Sequence, residues 1–191
     1  LKFEDSSQYS EELQKIENEI KENENKNENA VDPIKILNDK SKHIELHLTH
    51  KQYLSHLKDD IISNLGKITL LEAGAGYGKT EMIKSFKAKT LLILPFTSTI
   101  KAKVESSETT KDWLYYYGNK KPTLDDLFSG KNMSMTIDKF SKLNVMELDQ
   151  ANFEYIVIDE SHLLFTSSYR EVMSPCISRL ANCKAKIIMR S

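Results

Sequence analysis

Four side chains in this sequence have the types and spacing for phosphate chemistry: Lys79 and Thr80 in one stretch, Asp159 and Glu160 in another. The first pair follows Ala73-Gly74-Ala75-Gly76-Tyr77-Gly78. Glycines permit positive φ and let several backbone N–H groups approach an anionic phosphate that side chains would obstruct. Lys79 would then reach the β- and γ-phosphates of a nucleoside triphosphate, and the Thr80 hydroxyl would ligate Mg²⁺. The usual pattern starts with Gly where this chain has Ala73, and the three glycines that follow make it a tolerated variant. The other reading is a glycine-rich turn beside a surface lysine.

The second pair closes the run Tyr155-Ile-Val-Ile-Asp159-Glu160-Ser161-His162. A buried strand presents its terminal carboxylates at the carboxyl edge of an α/β sheet, where a phosphate loop also lies. Asp159 would hold Mg²⁺ through water, and Glu160 would orient and deprotonate an attacking water. Alternatively, the strand simply ends in solvated acids.

Both pairs need elements to hold them. Strand-like Ile68 to Leu71 precedes the glycine loop, and helical spacing follows from Lys79 to Phe86, whose first turn adds partial positive charge. Thr90 to Pro95 reads as a fully buried parallel strand, with a helix starting at Phe96 to Ile100. Further strands are expected at Asn132 to Thr136, Glu154 to Asp159 and Ala185 to Met189. Helices are expected at Ile137 to Leu143 and at about Tyr169 to Ala181, the latter kinked or restarted at Pro175. This alternation predicts an α/β fold: a parallel sheet with helices on both faces. Upstream, Asp32 to Asn64 has helical spacing at Ile34, Leu37, Ile44, Leu48, Leu54, Leu57 and Ile61. On such a helix His43, His47 and His50 would share a face, either as a zinc site or as a histidine-rich polar face. Trp113, Tyr115, Tyr116 and Tyr117 stand near Lys120 and Lys121, and either pack as one amphipathic helix or stack on unpaired bases.

Composition bounds the rest. The 191 residues are 39% hydrophobic and 29% charged, enough for one α/β domain with a real core plus an appendage. No apolar run approaches the roughly 18 residues a membrane span needs, and no basic-then-apolar leader is visible. A cytoplasmic or otherwise intracellular protein without membrane contact is expected. Cys176 and Cys183 read as reduced buried thiols. Residues 1 to 30 carry nine acids and four lysines, net −5, which leaves the remainder at net +4. That balance permits a nucleic-acid partner. The Asn/Glu/Lys repetition from Lys21 to Asn29 offers nothing to bury, so residues 1–31 are expected to be a disordered or frayed-helical extension ahead of a domain over 32–191.

The motifs and their order resemble superfamily 2 helicases and translocases. Asp159-Glu160-Ser161-His162 is similar to their DExH box, and Ala73 to Thr80 to their motif I. Leu94 to Thr99, with Pro95, Thr97 and Ser98, is similar to motif Ia. Met135 to Phe140, with Thr136, is similar to the later nucleic-acid-contacting threonine motif. Ile187 to Ser191 stands in the place of motif III, and Gln52 where the family often places a residue that recognises adenine. The resemblance covers about residues 50 to 191 and implies the first RecA-like lobe of an ATP-dependent motor with ATP and Mg²⁺ as cofactors. It further implies single-stranded nucleic acid held by Pro95, Thr97, Ser98 and Thr136, and coupling through His162 and Ser191. A second lobe is expected downstream, and its absent arginine implies weak hydrolysis by this chain alone, since such a finger is worth about a thousandfold or more. Two alternatives stand beside this: a nucleotide-gated binding module without useful turnover, and another phosphate-loop enzyme such as a small kinase. The kinase reading is disfavoured because the chain has only Arg170, Arg179 and Arg190 for an arginine-rich lid.

Overall fold

The structure, a computed structural model, describes residues 34–38, 43–46, 53–165 and 170–190. Its strands are β1 (Ile34–Asn38), β2 (His43–Leu46), β3 (Ile68–Glu72), β4 (Thr90–Leu94), β5 (Leu114–Tyr116), β6 (Met133–Thr136), β7 (Tyr155–Ile158) and β8 (Lys186–Arg190). They form one sheet in the order β2-β1-β3-β8-β7-β4-β6-β5. The six strands from β3 onward pair in parallel, while β1 pairs antiparallel with both β2 and β3.

Alternation along the central strands builds two cores. Leu91, Ile93, Ile156, Ile158 and Ile187 face one side, against Leu127, Phe140, Leu148 and Leu180 from the helices there. Leu92, Leu94, Tyr155, Val157 and Ile188 face the other, against Leu54, Ile61, Met82, Ile83 and Ile100. Every residue of β4 and β7 is buried, which is why those runs are continuously apolar. This is the parallel sheet with helices on both faces expected from the βα alternation, and the RecA-like phosphate-loop architecture that the resemblance implies.

The stretch from Asp32 to Asn64 departs from its expected helix. Only Leu54–Leu57, a 3₁₀ turn, and Lys58–Ser63 are helical among its described residues; Ile34–Asn38 and His43–Leu46 are strands. Short apolar runs fit either period, and the open edge of β3 decides here: Ile36 pairs with Leu71 on one side and Ile44 on the other. With His43 in a strand, the helical alignment behind the zinc reading no longer holds; His47 and His50 lie outside the described residues, as do residues 1–31, Gln52 and Ser191. Among the described residues no group of three or more His, Cys, Asp or Glu could hold a metal.

The aromatic cluster also differs from the amphipathic helix. Leu114–Tyr116 is an edge strand, so side chains alternate: Tyr116 is buried in one core, and Tyr115 and Tyr117 pack against the other. Trp113 is 6% exposed and belongs to the second core. Arg170–Asn182 is a single helix that includes Pro175. Cys176 and Cys183 are free and buried, and burial pushes the Cys176 thiol up to about 11. Among the described residues no helix is long and apolar enough to cross a membrane.

Candidate functional site

Parallel strands bring successive loops to one edge. At the carboxyl ends of β3, β8 and β7 lie the glycine loop, Arg190 and the Asp159-Glu160 pair, side by side. Register makes them neighbours: Leu71 pairs with Arg190, and Ile158 with Met189. Arg190, at the end of β8, therefore stands between the glycine loop and the acids.

Residues 73–78 form the loop between β3 and the helix Lys79–Lys84. Gly76 and Gly78 have φ of 84° and 74°, a region that costs a residue with a Cβ. Gly78 has a second constraint, because a Cβ there would meet the Tyr53 ring at 3.4 Å. The Leu54 N–H donates to the Tyr77 carbonyl at 2.9 Å, tying the preceding helical turn to this loop. Lys79 Nζ donates to the Ala73 carbonyl at 2.6 Å and reaches that of Gly74 at 3.4 Å. Burial, and then the nearby Arg190 charge, hold the Lys79 ammonium below its ordinary pKa.

Asp159 is 4% exposed and heavily engaged. Arg190 Nε donates to its Oδ1 at 2.9 Å, and Nη2 lies 2.7 Å from Oδ2. Lys103 Nζ, from the π-helical turn Lys101–Glu105, donates to Oδ2 at 3.2 Å. The Glu160 N–H donates to Oδ1 at 3.0 Å. Burial alone would push this carboxyl up; the Arg190 and Lys103 charges and their hydrogen bonds outweigh it and hold the group below the usual carboxylate range. Arg190 Nη2 also donates to Thr80 Oγ1 at 2.9 Å. One nitrogen thus sits between the Thr80 hydroxyl and the Asp159 carboxylate, so two hard oxygen donors flank a single cation position of the kind Mg²⁺ prefers. Glu160 has φ of 51°, uncommon for a residue with a Cβ and a frequent mark of functional sites. Its Oε2 lies 3.6 Å from His162 Nδ1.

At the carboxyl ends of β4, β6 and β5 the edge opens into a cleft of about 600 Å³. Pro95, Thr97 and Thr136 line it, together with Phe96, Lys139 and Lys142; Ser98 sits in the same short helix as Thr97 but does not line the cleft. Beside it Tyr115 and Tyr117 stack at 6.2 Å with an interplanar angle of 13°, under Lys120.

The structure therefore gathers Lys79, Thr80, Asp159 and Glu160 at one half of the edge and Pro95, Thr97 and Thr136 at the other. Sequence reasoning missed Arg190, Lys103, Lys139 and Lys142. Arg190 carried a signal: one of three arginines in the chain, it ends an apolar strand. Lys103 carried none, because a lysine among many on a polar helix looks like any solvated cation.

No protein-family model matches the sequence, and no curated protein matches it. Solved structures do. A structure of T4 UvsW shares 19% identity with a TM-score of 0.52, over 78% of this chain and 30% of that one. Another, of the UvsW helicase from bacteriophage T4, shares 19% identity with a TM-score of 0.45, over 63% of this chain and 45% of that one. The chain thus spans less than half the length of either structure, and the likeness is one of fold.

Proposed function

We propose that this chain is the ATP-binding lobe of a nucleic-acid-dependent ATPase of the helicase or translocase kind, with residues 32–191 as its RecA-like domain. The observation that supports the reading most is the division of one sheet edge into a charged, ion-paired half and an adjoining open cleft. The charged half suits a polyphosphate: Lys79, Lys103 and Arg190 outnumber Asp159 and Glu160 by one charge. The cleft brings in Lys139 and Lys142 beside Thr97 and Thr136, and hydroxyls with lysines position phosphates of a strand without reading its sequence.

In this reading the loop amides and Lys79 hold the β- and γ-phosphates, and Thr80 and Asp159 hold Mg²⁺. Bound Mg²⁺ supplies neutralising charge for the transferred phosphoryl group. Glu160 takes the proton of the attacking water, and His162 passes the state of Glu160 to a second lobe. Tyr53, 55% exposed with its ring against Gly78 and next in sequence to Gln52, offers a face for the nucleotide base.

The test is ATP turnover by the purified chain with and without single-stranded DNA or RNA, beside Lys79→Ala and Glu160→Gln. Slow turnover raised by one polymer and lost in Glu160→Gln is expected. Nucleotide binding that survives Lys79→Ala would remove the basis of the reading.

A further inference from the structure

Arg190 is more enclosed than a phosphate-binding arginine needs to be. Its side chain is 1% exposed, and its Nη1 is buried with no hydrogen-bond partner among the described residues. The other two nitrogens are committed: Nε to Asp159 Oδ1, and Nη2 to both Asp159 Oδ2 and Thr80 Oγ1. An ionised carboxylate has about four lone-pair sites. Here four donors reach Asp159: Arg190 Nε and the Glu160 N–H on Oδ1, Arg190 Nη2 and Lys103 Nζ on Oδ2. No site on that carboxylate is left for a metal ion or its water. The Thr80 hydroxyl, the other metal-facing oxygen, is engaged by the same guanidinium.

We propose that Arg190 is a built-in counter-cation that occupies the divalent-metal position between Thr80 and Asp159, so that metal and guanidinium compete for one place. The proposal rests on the phosphate-loop reading above. Two cations cannot share the site cheaply: a guanidinium and a divalent ion a few ångströms apart repel, and the single negative charge of Asp159 does not neutralise both. Binding of the metal therefore requires Arg190 to withdraw from Thr80 and Asp159. Until it withdraws, the guanidinium supplies positive charge in the metal's place, beside the phosphate loop. A nucleoside triphosphate is thus held in two ways, with Arg190 or with the metal.

Binding of a fluorescently labelled ATP to the whole chain, in EDTA and in Mg²⁺, tests this, with Mn²⁺ affinity in the absence of nucleotide read by electron paramagnetic resonance. The wild-type chain is expected to bind the nucleotide in EDTA within about threefold of its affinity in Mg²⁺. Arg190→Gln should lose about tenfold in EDTA and little in Mg²⁺, while its Mn²⁺ affinity rises about tenfold. Equal losses in both media, an unmoved Mn²⁺ affinity, or a wild-type chain that binds no nucleotide in EDTA overturns the proposal. Should circular dichroism show that Arg190→Gln does not fold, Arg190→Met keeps the apolar stem without the charge. Raised Mn²⁺ affinity in that variant supports the competition, and unchanged affinity overturns it. Lys79→Ala separates the two layers. Nucleotide binding that survives it overturns the phosphate-loop reading and this proposal together, whereas loss of binding there with an Arg190 indifferent to metal overturns the proposal alone.

Discussion

The two halves of the carboxyl edge handle charge in opposite ways. Beside β3, β8 and β7 the central charges are buried and paired: Asp159 and Arg190 are nearly inaccessible and hold one another through two contacts. Beside β4, β6 and β5 the charges are on the rim of a cleft, and Phe96 stands 51% exposed among them. A buried pair fixes geometry but penalises any change to one member. Open lysines attract a polyanion and depend little on exact position. In the proposed function, the contrast separates a half that would position reacting atoms from a half that would hold a sliding strand.

Substitutions can break that contrast, and the largest effect is expected at Glu160. Glu160→Gln removes the proposed base and should lower polymer-stimulated turnover by about a thousandfold, with nucleotide and polymer binding retained in equilibrium titrations. Asp159→Asn should cost roughly 3 kcal/mol of stability in denaturant unfolding, because Arg190 is left buried with a neutral partner. Replacing Lys139 and Lys142 together by Ala should leave stability within about 0.5 kcal/mol. It should weaken single-strand binding and reduce the salt slope of that binding by about two. If the lysine pair instead unfolded the chain while Asp159→Asn did not, the contrast would be reversed.

The smallest effect is an acid one. Because the folded chain holds the Asp159 carboxyl below its ordinary value, its contribution is complete above an unfolded pKa of about 3.9 and drains away as pH falls through the lower folded value. Below about pH 4, wild-type stability should therefore fall more steeply than that of Asp159→Asn in parallel denaturation series.

Much of this edge was legible before the fold was known. Fully buried strands announce themselves by unbroken apolar runs, and Thr90–Leu94 and Tyr155–Ile158 did so. The glycine loop was marked by residue types that only a special backbone requires. What failed were segments whose structure depends on a distant partner: β1 and β2 exist because β3 has an open edge, and β5 because β6 pairs with it. The helix Val145–Ala151 was missed despite a local signal, the Asn144 cap with Glu147 returning to its N–H. Arg190 and Lys103 were illegible as partners of Asp159 because their meeting is set by sheet order and by a π-helical turn.

Sheet order also dictates when these groups can meet. Without β8, the order β2-β1-β3-β8-β7-β4-β6-β5 falls into two separate sheets, β2-β1-β3 and β7-β4-β6-β5. The first is built from the strands that emerge earliest and the second from the middle of the chain, so each can gather before β8 is made. The strand that joins them is the last of the eight to leave the ribosome. Until residue 190 has emerged, the glycine loop and the acids belong to different folding units, and Asp159 has no arginine beside it. The charged half of this edge is therefore assembled only once the last of these eight strands has emerged.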